Sequence, residues 1–249
     1  ALVTGGGGGI GEATGRLFAE EGGQVALVDS DKAAVEAAAA GIAKAVPGAR
    51  VSAMVADLSI DAEAQRVVDD TLAAFGALHT VVNVAGVRLY APLAAADARG
   101  WDFILGVNVL ATAYCCKAAL PSLRLGGRGS IVNVSSVYGV KGRAGMGQYD
   151  TTKAAVLGFT RALAVEEAPH GIRVNAVCPG GTITPFHIRA AAAKGISEAE
   201  LRGQREQDNL LGRWAEPREV AFPILFLACD ESSYITGATL MVDAGKSIL

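Results

Sequence analysis

Histidine and cysteine are too few and too scattered to build a metal centre or a disulfide framework. The three histidines (His79, His170, His187) and four cysteines (Cys115, Cys116, Cys178, Cys229) show neither C-x-x-C nor H-x-x-x-H spacing. No metal is expected, and the thiols read as small buried hydrophobes of a reducing compartment. A surplus of one charge is also missing. The 22 basic and 25 acidic side chains leave a net charge of -3, and no run of Lys and Arg exceeds two, which removes the basic field a nucleic-acid binder needs. The apolar run nearest a terminus, Val220 to Cys229, is about ten residues long and contains Pro223, against the roughly twenty needed to span a bilayer. No secretory leader is visible. These absences predict a cytoplasmic protein with small-molecule partners and neither nucleic acid nor membrane. Ala1-Leu2-Val3 already reads as a strand with no initiator Met, which predicts a few residues upstream.

What is present is apolar bulk: 51% of 249 residues, enough for a single domain over 1–249 that buries roughly three quarters of its unfolded surface. Short β-branched runs alternate with Ala-rich stretches of helical period. The strands are expected at Ala1-Thr4, Gln24-Val28, Arg50-Ala56, Thr80-Val84, Ser130-Val134, Arg173-Val177 and Thr239-Val242. Helices are expected near Ile10-Glu21, Ser30-Ala45, Ile60-Phe75, Asp97-Ser122, Gly147-Ala168 and Pro217-Ala228. This is the α/β pattern of a doubly wound, seven-stranded parallel sheet with helices on both faces, whose ligands lie at the carboxyl ends of the strands. Ile183 to Trp214 is too long for an ordinary connection and predicts a helical lid.

At those strand ends, Thr4-Gly5-Gly6-Gly7-Gly8-Gly9-Ile10-Gly11 follows a strand and opens a helix, where backbone N–H groups can hold a pyrophosphate. Five consecutive glycines satisfy almost any glycine pattern, so the flanks decide. Asp29 ends the second strand, placed to accept hydrogen bonds from both hydroxyls of an adenosine ribose and to repel a 2'-phosphate. Neither Ser30 nor Asp31 supplies a compensating cation. NAD is therefore expected over NADP. Asp57-Leu58 and Asn83-Val84-Ala85-Gly86 end the third and fourth strands. Asn108 sits in the apolar run Ile104 to Leu110, where its amide needs a partner; a core Asn fixing a kink beside Gly106 and a catalytic Asn fit equally well.

Ser135-Ser136 follows the fifth strand, and Tyr149 and Lys153 stand four residues apart on one helix face. A free phenol has a pKa near 10 and supplies almost no base at neutral pH. An ammonium about 5 Å away, at an effective dielectric near 20, stabilises the phenolate by roughly 3 kcal/mol. That brings Tyr149 into range of acid–base work, with Ser136 able to orient a substrate oxygen toward it.

These residues together, T-G-x-x-x-G-x-G, the strand-end Asp, N-x-A-G, a mid-helix Asn, a Ser and Y-x-x-x-K, resemble the short-chain dehydrogenase/reductase family over essentially the whole chain. The resemblance implies a Rossmann-type domain and a hydride transfer between NAD(H) and a secondary alcohol or ketone. It implies Tyr149 as the proton donor or acceptor, Lys153 lowering its pKa and binding the nicotinamide ribose, Asn108 supporting a water relay to that Lys, and Ser136, 13 residues before Tyr149, as the catalytic serine. It also assigns Gly5, Gly9, Ile10 and Gly11 to the pyrophosphate, Asp57 and Leu58 to adenine, Asn83, Ala85 and Gly86 to the ribose side, and Pro179, Gly180, Thr182 and Thr184 to the nicotinamide amide. A homotetramer, or a homodimer, is implied, with the Asp97-Ser122 and Gly147-Ala168 helices across a twofold axis. The sequence departs from the usual pattern at Val84, at Thr151-Thr152 and at Gly181-Thr182. A sensor or scaffold that binds NAD without turnover is the rival reading; such proteins usually lack the Tyr or Lys that both stand here. A methyltransferase on a similar sheet has no use for the pair. Arg88, Lys141 and Arg143 could pair a substrate carboxylate, but the plainer reading of each is a solvated loop charge.

Overall fold

The computed structural model describes residues 1–204 and 208–249. Seven strands form one sheet: β1 Leu2–Thr4, β2 Val25–Asp29, β3 Val51–Val55, β4 Thr80–Asn83, β5 Gly129–Val134, β6 Ile172–Pro179 and β7 Thr239–Val242. Every pairing is parallel and the spatial order is β3-β2-β1-β4-β5-β6-β7. The order reverses direction between β1 and β4, so the loops leaving these two strands diverge and open a crevice at their carboxyl ends.

Strands covered on both faces must be apolar throughout, and β2 obeys: Val25, Ala26, Leu27 and Val28 are each 0% exposed. One face is packed by α3 Asp61–Phe75, α5 Ala111–Leu125 and α6 Gly147–Glu167, through Val67, Val68, Cys115, Leu123 and Leu163. The other is packed by α1 Gly9–Glu20, α2 Lys32–Ala45 and α9 Pro217–Ala228, through Phe18, Val35, Ile42, Val220 and Ile224.

Two stretches differ from the sequence expectation. The predicted helix Asp97-Ser122 is broken into α4 Ala98–Leu105, a π turn Gly106–Leu110, and α5. The cause is Asn108, whose amide is drawn out of the helical register onto Val87, as described below. The whole run Ala98–Leu125 is long and apolar enough to cross a membrane, but 44% of its most apolar window is buried inside the protein. Ile183 to Trp214 contains α7 Pro185–Ala192 and α8 Glu198–Gly203, the latter started by a capping box between Ser197 and Glu200. Residues 205–207 of that predicted lid lie outside the described residues. Its two ends are joined, Thr182 bridging to Ala215 in parallel fashion.

Candidate active site

The glycine turn is dictated by close approach. Gly5 (φ +63) has no room for a side chain, since a Cβ would stand 3.0 Å from the Ala85 backbone, and a Cβ on Gly11 would stand 2.0 Å from the Gly5 carbonyl oxygen. Thr4 ties the turn to its neighbour, its hydroxyl accepting hydrogen bonds from Val84 N (3.0 Å) and Ala85 N (3.1 Å). The first turn of α1 has no side-chain cap, leaving its N–H groups and helix dipole available to an anion. The Asp29 carboxylate, at the end of β2, accepts from Gly7 N at 3.0 Å and from Asp31 N at 3.1 Å. The first base beyond it in the chain, Lys32, is paired with Glu36. Asp57 accepts from the amide and hydroxyl of Ser59, and Leu58 is buried beside it. A glycine cradle, an uncapped helix N-terminus and a strand-end carboxylate fit a dinucleotide.

Across the switch point lies the sequence-predicted quartet. Tyr149 and Lys153 are 6% and 4% exposed, not surface residues of a solvated helix. Their i, i+4 spacing on α6 puts the Lys153 Nζ 5.8 Å from the Tyr149 ring centroid. That ammonium is anchored by donating to the Val134 carbonyl, at the end of β5, at 2.9 Å. Ser135 donates its hydroxyl proton to the Lys153 carbonyl at 2.7 Å, and it is Ser136 that hydrogen-bonds Tyr149. Burial pushes the Tyr149 phenol up, but the Lys153 and Arg88 cations, with hydrogen bonding from Ser136 and Arg88, outweigh it and leave the phenol below its ordinary value. Lys153 is itself pushed down, chiefly by burial and against the pull of Tyr149. The two groups hold a proton that moves more easily than in either alone.

Asn108 has the partners its buried amide requires. Its Oδ1 accepts from Val87 N at 2.7 Å, while Nδ2 donates to Val87 O (3.0 Å) and to Thr152 Oγ1 (2.9 Å). The amide is satisfied, it fixes the loop after β4, and it stands beside the chemistry: a Cβ on Gly86 would lie 3.3 Å from Asn108 Oδ1 and 3.2 Å from Lys153 Nζ. π turns of this kind cluster at working sites.

Asn83 is placed differently from its neighbours Ala85 and Gly86. Its side chain donates to Asn133 Oδ1 at 2.9 Å within the core, and Asn133 in turn donates to Thr160. The Asn83 side chain thus braces β4 against β5 rather than facing the crevice. Pro179 ends β6, and Gly180 passes so close to the β7 turn that a Cβ would stand 2.8 Å from the Asp243 Cα. Thr182 is buried. Thr184 starts α7 and packs against Gly9, whose Cβ would meet its methyl at 3.0 Å.

The sequence places Arg88 and His187 near the substrate pocket but does not show that they meet each other beside Tyr149. Arg88, taken there as a solvated loop charge, is half-buried, with its guanidinium carbon 5.5 Å from the Tyr149 ring and Nη1 2.8 Å from His187 Nε2. His187 also meets Thr184 Oγ1 at 3.0 Å through Nδ1, and burial with the nearby Arg88 charge pushes its pKa down to about 4. They are 99 positions apart, and no local signal links them. Arg143 is not solvated either: its guanidinium lies 3.5 Å over the Tyr138 ring and 3.4 Å from Asp150. Among the described residues no cluster of His, Cys, Asp and Glu could hold a metal.

With this geometry in hand, comparison with known proteins is decisive. A family model described as enoyl-(acyl carrier protein) reductase matches residues 6–247. A short chain dehydrogenase/reductase of Aspergillus oryzae is 36% identical over 251 residues, covering 100% of this chain and 95% of the relative. The chain belongs to the short-chain dehydrogenase/reductase family. Within it, the meso-2,3-butanediol dehydrogenase of Serratia marcescens is 35% identical, over 99% of this chain and 93% of that protein. The L-sorbose reductase of Gluconobacter frateurii, solved with NADPH and L-sorbose, superposes with a TM-score of 0.94 at 28% identity, covering 100% of this chain and 96% of that one. This short-chain dehydrogenase/reductase is an oxidoreductase.

Proposed function

We propose that the protein interconverts a secondary alcohol and a ketone with NAD(H), using Tyr149, Lys153, Ser136 and Asn108. The observation that carries this is the buried Tyr149–Lys153 pair at the carboxyl edge of the sheet, with Ser136 on the phenol. When bound, the nicotinamide supplies the two-electron chemistry, taking or giving a hydride at the substrate carbon. In the oxidative direction the ionised Tyr149 takes the hydroxyl proton; in reduction the neutral phenol returns it. Ser136 orients the substrate oxygen, and Lys153 stabilises the phenolate. Asn108 holds Val87 and keeps its amide oxygen beside Lys153.

In this reading Gly5, Gly9, Ile10 and Gly11 hold the pyrophosphate, Asp29 the adenosine ribose, Asp57 and Leu58 the adenine. Ala85, Gly86 and Lys153 lie toward the second ribose, with Pro179, Gly180, Thr182 and Thr184 toward the nicotinamide; Asn83 contributes through the backbone it supports. NAD is favoured by the Asp29 carboxylate, which has no basic partner among the described residues. The α7 and α8 segment acts as the lid, supported by the contact of Thr184 and Pro185 with the glycine turn. A cytoplasmic location rests on four cysteines that are all free thiols, and a homotetramer on the apolar faces argued in the Discussion.

Tyr149→Phe tests the reading. Alcohol oxidation should fall by roughly 10²–10⁴-fold while NAD still binds, measured by quenching of tryptophan fluorescence. Retained turnover would refute the role of Tyr149.

A further inference from the structure

Arg88 is a half-buried residue whose guanidinium has no counterion among the described residues. Among the described residues no carboxylate lies within ion-pair distance of it, whereas the neighbouring Arg143 is matched by Asp150. His187 beside it is held neutral by burial and by the Arg88 charge itself and accepts a hydrogen bond from Nη1 at 2.8 Å; the Tyr149 hydroxyl takes a second bond, and the nearby Lys153 is a cation, not a counterion. A guanidinium carries five donors in a flat fork, so most of its hydrogen-bonding capacity is left over. The remaining donors are confined by rings: Tyr149 at 5.5 Å, Phe186 at 5.2 Å. His187 is itself wedged edge-on between Phe186 and Trp214, at 5.3 and 5.1 Å, and tied to Thr184, which fixes the fork's direction. Tyr90 and Phe186 stack 6.5 Å apart toward solvent and are 64% and 37% exposed, so the fork is reachable from outside.

A cation met only by neutral groups at the wall of the site keeps donors free for an anionic ligand. The fork's geometry matches a planar carboxylate bidentately. Its place against the Tyr149 hydroxyl sets the distance: an anion on Arg88 sits within a few bonds of an oxygen on Tyr149. We propose that Arg88 is a substrate-binding residue that takes a carboxylate carried close to the reacting carbon, making this an oxidoreductase of short hydroxy or oxo acids. The inference rests on the alcohol/ketone chemistry proposed for Tyr149. His187 is the positioning residue that aims the fork.

Two measurements separate the claims. The first compares kcat/KM for 3-hydroxybutyrate with that for its methyl ester, so that any effect of Arg88 on the Tyr149 proton cancels. The wild type should favour the acid, and Arg88→Gln should lower the acid-to-ester ratio roughly tenfold or more; an unchanged ratio would overturn the proposal. The second needs no turnover. Isobutyrate should change the fluorescence of the wild-type protein saturably, Trp214 lying beside His187, and the Kd should rise roughly tenfold in Arg88→Gln. Isobutyramide and methyl phosphate should bind more weakly than isobutyrate. Equal binding of the amide, tighter binding of the phosphate, or an unchanged Kd in the variant would each sink the carboxylate assignment. Should no alcohol be oxidised while isobutyrate still binds through Arg88, the reading of Tyr149 fails and that of Arg88 stands.

Discussion

Tyr149 is held between two opposing influences. Burial favours the neutral phenol, and two cations with two hydrogen-bonding groups favour the phenolate; the second set wins. Lys153 is the stronger of those cations, so it decides where the site titrates. Oxidation requires the phenolate, so activity rises with pH through the Tyr149 transition, which lies below that of a free phenol. Lys153→Met should therefore move the rising limb of kcat/KM to higher pH and lower the rate at neutral pH, read from a pH–rate profile of alcohol oxidation. A limb that stays in place would mean the ammonium does not set the phenol's basicity. Asp29 is the other residue whose charge decides an outcome. A 2'-phosphate brought beside it meets a carboxylate already fixed on Gly7 and Asp31. Asp29→Ser should cut the NAD-over-NADP ratio of kcat/KM by roughly ten- to a hundredfold, whereas an unaltered ratio would leave cofactor choice to other residues.

At the scale of elements, the π turn is where a local rule yields to a long-range bond. Reading Asp97-Ser122 as one helix follows from its 3.6 period, and the period alone cannot report that Asn108 reaches 21 positions back to Val87. Asn108→Ala strips both Val87 backbone groups of their partner. The expected cost is about 1–3 kcal/mol, seen as a lower urea midpoint, together with reduced turnover because Lys153 and Gly86 share that corner; a variant as stable and active as the wild type would remove Asn108 from both roles. The same contrast explains what was legible. Tyr149 and Lys153 lie one turn apart on α6, Asp29 ends a strand and Ser136 follows one, both strands announced by β-branched runs, so spacing sufficed. Arg88, Arg143 and His187 draw their meaning from rings and carboxylates contributed by other loops. Asn83 sits in a motif that faces the crevice, yet its side chain goes the other way because β4 alternates and position 83 points at the helical layer of α5 and α6. The strand ends themselves moved little, β6 gaining Ile172 at its start and Cys178 and Pro179 at its end because its pairing with β7 continues to Val242.

For the molecule as a whole, the helices that build the active site also carry surface that a lone copy would leave wet. α4 exposes Phe103 (51%) and α6 exposes Val165 (77%). On α6, Ala154, Gly158 and Ala162 recur every four residues and are all exposed, a smooth stripe on which a second helix can lie close. Because Tyr149 and Lys153 occupy the opposite face of that helix, docking of a second copy would stiffen the catalytic pair without covering it. Gly158 allows this to be tested without harming the fold. A Cβ there meets nothing within 4 Å, and Arg is a better helix former than Gly by up to about 1 kcal/mol, so Gly158→Arg should leave a single copy as stable as before. If α6 packs across a twofold axis, the new side chain is forced into the interface. The wild type should then sediment near four times 25.3 kDa at micromolar concentration and the variant as smaller species with lower activity. A wild type that sediments as a single 25.3 kDa copy, or a variant that assembles unchanged, would show that this stripe faces solvent and that the catalytic helix is held rigid by its own core alone.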